Sequence, residues 1–221
     1  MTKVKGELER MLELGEISKV EEPTERCAGM VVVPKPNGQV RICVNLTKLN
    51  ESVKRENHPL PSVEESLAKL SGSKVFTKLD ANSGFWQINL AEESRHLTTF
   101  IAPFGRYLFN RLPFGICSAS EFFQKRMSEL LGDLPGVLCH MDDILASAAT
   151  QKQHDGRLEQ VVKIIQKAGI TLNEKCVFSK PSVTFLGYVI DGEGCRPDPK
   201  KVQAITEMET PKNVSEVRRH G

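Results

Sequence analysis

Val137-Leu138-Cys139-His140-Met141-Asp142-Asp143-Ile144-Leu145-Ala146-Ser147 is the stretch from which the chain is read. Its apolar triplets, 137–139 and 144–146, predict two short strands, and residues 140–143 predict the tight turn between them, which pushes Asp142 and Asp143 out together. Adjacent carboxylates disfavour each other's ionisation. Between strands that must be buried, the pair is costly unless a cation neutralises it, and a hard divalent ion suits oxygen ligands. An isolated Asp-Asp is most often a solvated hairpin tip. A second carboxylate in a similar setting argues against that here: in VFTKLDANSGFWQINL, residues 75–90, a β-rich run ends at Asp80, a turn composition follows, and strand propensity resumes from Phe85 to Leu90. If the two strands are neighbours in one sheet, Asp80 and Asp142 could bracket a pair of Mg²⁺ ions.

Working outward toward the N-terminus, residues 6–17 predict a helix with Leu8, Met11, Leu12 and Leu14 as its apolar stripe. AGMVVVP (28–34) and VRICV (40–44) predict a hairpin turning at Lys35-Pro36-Asn37-Gly38. Lys35 and Arg41 read first as solvated strand charges. His58-Pro59-Leu60-Pro61 is an extended linker, and Ser62 caps a helix reaching about Leu70 with Val63, Leu67 and Leu70 as its packed face. Phe85 reads by default as a core side chain, and Gln87 is ambiguous.

Toward the C-terminus, TTFIAPFGRYLF (98–109) predicts a second hairpin. Arg111-Leu112-Pro113-Phe114-Gly115 leads into a helix capped by Ser118 and running to about Leu131, with Phe122, Phe123, Met127 and Leu130 on its apolar face. Residues 151–168 form an amphipathic helix through Leu158, Val161, Val162 and Ile165, ended by Gly169, that should pack on the sheet carrying the aspartates. VTFLGYVI (183–190) lies in a further hairpin, with Gly187 as a strand glycine marking a bulge or close approach. Pro199 marks a helix entry.

These motifs, FTKLDANSGFWQINL, TTFIAPFGRYLFNRLPFGICSASEFFQKRM, HMDD, LNEKCVF and VTFLGYVI, resemble in order and spacing the reverse transcriptase domain of Ty3/gypsy-type LTR retrotransposon polyproteins. HMDD is similar to the YMDD or YLDD hairpin of that family. The resemblance implies an α+β right-hand polymerase fragment, its antiparallel palm sheet packed on helices: fingers 1–73 and 92–117, palm 74–91 and 118–195, and the start of an incomplete thumb at 196–221. It implies an RNA-directed DNA polymerase that joins a dNTP to a primer 3′-hydroxyl. Asp80, Asp142 and Asp143 would be catalytic, and with the Ala81 carbonyl they would hold two Mg²⁺ ions, for which Mn²⁺ could substitute. Lys35, Arg41, Phe85, Phe114, Gly115 and Lys175 would contact the nucleotide, with Phe85 as the wall that rejects a 2′-hydroxyl. Phe185, Leu186, Gly187 and Tyr188 would grip the primer.

The implied partners are an RNA or DNA template, a DNA or tRNA-like primer, and ribonuclease H and integrase regions of a parent polyprotein, in an intracellular, cytoplasmic setting or a retrotransposon particle. Asn45 and Thr47 depart from the family's acidic and basic residues, and His140 from its tyrosine. These departures keep open a catalytically decayed or domesticated module that binds nucleic acid or protein, and a polymerase of another element class sharing the palm is a further alternative.

The 221 residues and 39% apolar content suffice for a sizeable core in one domain or two lobes. A formal charge of +2 does not by itself indicate nucleic-acid binding. Six cysteines with no C-x-x-C pair read as reduced, small core residues. No 18-residue apolar run suggests a membrane partner and no leader is recognisable.

Overall fold

The computed structural model describes residues 2–35, 38–58, 62–82 and 84–207, and of Val63, Glu64 and Ile205 the backbone alone. The part of the chain up to Phe109 builds a five-stranded sheet from β1 (Ile17–Val20), β2 (Ala28–Pro34), β3 (Val40–Val44), β5 (Phe100–Ala102) and β6 (Gly105–Phe109), in the order β1-β6-β5-β2-β3. All its pairs are antiparallel except β2 with β5. Helix α1 (Thr2–Glu13) closes one face, burying Leu8 and Met11 with Ile17, Phe100, Tyr107 and Phe109. The helix ends four residues earlier than expected, and Leu14 is exposed because the chain has already turned at Gly15 (φ +66°) into β1. Strand β1 was not evident in the sequence: at four residues, ISKV has too little alternation to declare itself.

A second, four-stranded sheet has the order β7-β8-β4-β9, from β7 (Val137–His140), β8 (Asp143–Ala148), β4 (Val75–Asp80) and β9 (Val177–Lys180), all antiparallel. Alternation gives this sheet two unlike faces. Leu79, Val137, Ile144 and Ala146 face helices α5 (Ala119–Leu131) and α6 (Gln151–Lys167) in one core with Phe123, Met127, Leu131, Val161 and Ile165. Thr77, on that same face, meets the fully buried His154 of α6, Oγ1 to Nε2 2.8 Å, and accepts from the Ser179 N–H of β9 at 3.0 Å. The opposite face is apolar at one end, where Phe76, Leu138 and Leu145 pack beneath Val183, Phe185 and Ile190, and polar at the other, where Asp80 and Asp143 stand opposite each other. The covering residues belong to a three-stranded sheet of β10 (Ser182–Phe185), β11 (Tyr188–Asp191) and β12 (Gly194–Pro197). Helix α7 (Pro199–Thr206) follows, entered at Pro199 as expected.

Segment 88–90 joins the two larger sheets, with Leu112 N–H donating to Ile88 O and Leu90 N–H to Asn110 O, both 2.9 Å. Leu90 packs against both of their cores.

Several local expectations change. Phe85 begins no strand: Gly84–Gln87 is a turn of 3-10 helix, because Gln87 is spent on non-local bonds described below. Ser118 begins α5 without a side-chain cap, its backbone already helical. Val162 is exposed, so the buried stripe of α6 runs through His154, Val161 and Ile165. Gly187 is a turn glycine at φ +84° beside Leu186 at +52°, which closes the β10–β11 hairpin without a bulge. The expected 35–38 turn includes Pro36 and Asn37, the linker Pro59, Leu60 and Pro61, and the thumb residues 208–221; these lie outside the described residues. Ser62 caps α3 (Val63–Ala68) as expected, accepting from Glu65 N–H at 3.1 Å. All six cysteines are free, but they are not the buried core residues expected: Cys27 and Cys195 are exposed and the other four half-buried. Among the described residues no helix is long and apolar enough to cross a membrane.

Candidate active site

Strand register brings the three aspartates together. Asp80, the last residue of β4, pairs with Asp143, the first of β8, and His140 pairs with Asp143 from the other side, leaving Met141 and Asp142 as a two-residue turn. The two adjacent carboxylates therefore do not emerge together. Asp143 stays in the strand, where its Oδ2 lies 3.0 Å from Lys78 Nζ, a diagonal neighbour across β4 and β8. Asp142 folds inward instead, and its Oδ1 is buried without a hydrogen-bond partner. Burial, then the charges of Asp80 and Asp143, push the Asp142 carboxyl above its ordinary range. Burial first, and the charges of Asp142 and Asp143 next, push the Cys139 thiol up to about 12, so this cysteine stays protonated.

The space for Asp142 exists because residue 84 is glycine: a Cβ there would collide with the Asp142 carboxylate. Sequence reading passed over Gly84 as turn composition. It also passed over Asn173, whose Nδ2 donates to Asp80 Oδ1 while its backbone N–H donates to Asp80 O at 3.0 Å. Gln87 ties this loop down, donating from Nε2 to Asn82 O (2.6 Å) and Thr171 O (3.2 Å) and accepting from Thr171 N–H (2.8 Å). Ala81 is buried at the centre of these contacts, its N–H donating to Asp142 O at 2.8 Å. None of these bonds uses its carbonyl.

Oxygen donors from Asp80, Ala81 and Asp142, one of them a buried carboxylate oxygen lacking a partner, suit a hard divalent cation in chemistry. The expected four-residue ligand set is nevertheless not preformed. Among the described residues no three His, Cys, Asp or Glu side chains are grouped to hold a metal; Lys78 pairs with Asp143 and Asn173 bonds Asp80.

The other expected residues fall into three places. Phe85 follows Gly84, the glycine that faces Asp142, and Phe114, with Gly115 next in sequence, packs on Phe85. Phe85 is 8% exposed in the core and Phe114 is 50% exposed above it, their ring centroids 5.0 Å apart. Phe114 also touches Trp86 at 5.7 Å. Gly115 holds φ +98°, and Asn50 of α2 (Thr47–Asn50) pins the loop by donating to Gly115 O (2.7 Å) and accepting from Cys117 N–H (2.9 Å). Lys35 and Arg41 lie on the β2–β3 hairpin of the other sheet, with Arg41 exposed opposite Val33. Lys175 is exposed two residues past Asn173. Phe185 is fully buried, and Leu186 and Tyr188 pack against the same cluster, so three of the four expected grip residues contact the core. Nearby, Asn45 and Thr47 bond each other, Thr47 Oγ1 donating to Asn45 Oδ1 at 2.7 Å.

A family model described as "Reverse transcriptase (RNA-dependent DNA polymerase)" matches residues 33–190. The chain is 38% identical over 191 residues to the retrovirus-related Pol polyprotein from transposon opus of Drosophila melanogaster, a match covering 84% of this chain and 19% of that protein. It is 37% identical over 185 residues to the corresponding polyprotein from transposon gypsy of the same organism, covering 82% and 18%. To the transposon Tf2-3 polyprotein of Schizosaccharomyces pombe it is 33% identical over 192 residues, covering 86% and 14%. Thus the chain spans about a fifth or less of these relatives. Among solved structures, foamy viral protease-reverse transcriptase in complex with double-stranded DNA superposes with a TM-score of 0.89 at 25% identity, covering 99% of this chain and 38% of that one.

Proposed function

We propose, because this chain belongs to the reverse transcriptase (RNA-dependent DNA polymerase) family, that it catalyses template-directed attack of a primer 3′-hydroxyl on the α-phosphate of a dNTP. The observation that carries the proposal is the buried, unpartnered Oδ1 of Asp142 beside Asp80 and Gly84. A carboxylate kept out of water, with its ionisation disfavoured by two neighbours, is unstable in isolation, and this arrangement has a use where cationic and phosphoryl chemistry is to be held.

Asp80 and Asp142, with the Ala81 carbonyl, would hold a pair of Mg²⁺ ions that, when bound, lower the pKa of the primer hydroxyl and neutralise the departing pyrophosphate. Asn173 keeps the Asp80 carboxylate oriented. Lys78 restrains Asp143, which makes Asp143 a supporting residue whose oxygen is released only if the ion pair opens. Phe85, fixed in the core from below and flanked by Phe114, supplies a rigid wall against which a deoxyribose fits and a 2′-hydroxyl collides. Lys35 and Arg41, one sheet away, are the proposed donors to the triphosphate, and Lys175 a further cation near the product. The 74–91 and 118–195 segments act as palm and the five-stranded sheet as fingers. RNA or DNA template, primer, the remainder of a polyprotein and an intracellular particle complete the proposal.

Primer extension by the chain with Mg²⁺, beside an Asp142→Asn variant, tests it. Extension is expected from the parent chain and not from the variant. Equal extension by both would sink the assignment.

A further inference from the structure

Gln124 is one of the few polar side chains in the larger core, with no exposed surface at all. A methionine or leucine would fill the same volume on α5 without the cost of burying an amide. The amide is satisfied chiefly by one feature, the turn that carries Asp142: Oε1 accepts from Met141 N–H at 2.7 Å and Nε2 donates to Cys139 O at 3.0 Å. A third bond, Nε2 to Ser128 Oγ at 3.1 Å, anchors the side chain to its own helix.

The turn needs such a clamp. Met141 sits at φ +54°, the left-handed region, which a non-glycine residue keeps only where its surroundings hold it there. The two aspartates also differ in how they are held. Asp80 is oriented directly through Asn173 on its carboxylate, whereas Asp142 Oδ1 has no hydrogen bond, so its direction is set by its backbone and by the fit beside Gly84. Among the described residues, Gln124 is the side chain that bonds the backbone on both sides of His140 in this turn.

We propose that Gln124 is a positioning residue for the reaction: acting through the Met141 and Cys139 backbone, it fixes the left-handed turn that aims Asp142 toward Asp80. The proposal rests on the polymerase reading given above.

Three measurements on the 221-residue chain decide it: amide hydrogen exchange without metal, Mn²⁺ binding followed by electron paramagnetic resonance, and steady-state kcat and KM for dNTP. Gln124→Met keeps the length and loses the amide; Gln124→Glu keeps an acceptor for Met141 N–H. In Gln124→Met, exchange is expected to accelerate in a peptide spanning 137–146 and to stay at the parent rate in 98–109. Mn²⁺ affinity and kcat should each fall about 10- to 100-fold, the usual consequence of removing a group that orients a ligand, with KM for dNTP nearly unchanged. Gln124→Glu should fall between parent and Gln124→Met in exchange at 137–146.

Parent-like exchange at 137–146 with parent-like kcat would overturn the proposal, as would faster exchange throughout the chain with kcat and KM failing together, the mark of a simple core filler. If Gln124→Met does not fold, Gln124→Glu decides by the same local-versus-global comparison. A parent chain without Asp142-dependent extension would sink the polymerase reading instead, and the exchange and Mn²⁺ arms would still judge the clamp.

Discussion

Asp142 is the residue at which sequence, packing and chemistry meet. Its folded-state pKa is raised by burial and by Asp80 and Asp143, so the native protein binds a proton more tightly than the unfolded chain does. The sign follows: without metal, this residue's contribution to stability is full below the unfolded carboxyl value, about 3.9, and is lost as pH rises through the raised folded value. Asp142→Asn should therefore melt higher than the parent chain at neutral pH without divalent ions, and the difference should vanish below about pH 4. Added Mg²⁺ should raise the melting temperature of the parent only. Melting curves across pH, with and without Mg²⁺, check all three statements, and a variant less stable than the parent at pH 7 without metal would contradict them. Gly84→Ala makes the complementary change, since the new methyl displaces the Asp142 carboxylate. Extension should fall about 10- to 100-fold, as when a ligand's orienting shell is removed, with little loss of melting temperature. Unaltered extension would show that Asp142 tolerates the shift. The DD pair and Asp80 were legible because carboxylates at strand ends are conspicuous. Gly84, Gln124 and Asn173 were not, because their roles exist only through partners 58, 17 and 93 residues away in sequence.

At the scale of the element, α6 shows what periodicity reveals and what it hides. Its 3.6-residue pattern located the helix to within a residue and named Val161 and Ile165 as buried. It placed Val162 in the stripe although that residue is on the exposed flank, and it gave no reason to bury His154, a polar residue whose partner, Thr77, lies on another element. The buried bond to Thr77, which also receives Ser179 N–H, ties α6, β4 and β9 together. His154→Ala should consequently cost roughly 2–4 kcal/mol, the lost packing added to the loss of a buried hydrogen bond to Thr77, while Val162→Ser should stay within about 0.5 kcal/mol. Urea unfolding of the two variants measures both, and equal costs would mean that the network contributes nothing beyond volume. The short strands β1 and β12 and the 3-10 turn at Gly84–Gln87 escaped notice for a related reason. Four residues carry too little pattern, and what stabilises the turn is Gln87 reaching Thr171.

At the scale of the whole molecule, the question is whether the sheet carrying the aspartates and the five-stranded sheet fold as one unit. The contacts argue that they do. Segment 88–90 bonds to 110–112, and Leu90 belongs to both cores. Trp86, six residues after Asp80, packs against the core of the five-stranded sheet, while Arg10 of α1 lies over its ring at 5.8 Å and Phe114 meets its edge. The same aromatic group thus buttresses Phe85 from one side and α1 from the other, so displacement of either sheet is felt at the candidate site. Leu90→Ala removes apolar atoms shared by the two cores; Leu90 is only partly buried, so the cost should be about 2 kcal/mol, the lower end for leucine truncation. Because the lost contact is common property, the loss should appear as a single cooperative transition at lower temperature, with circular dichroism and Trp86 fluorescence, the latter from the one tryptophan in the chain, following the same curve. Two separated transitions, with fluorescence falling before the remaining secondary structure, would show that the sheets unfold independently and that this seam does not couple them.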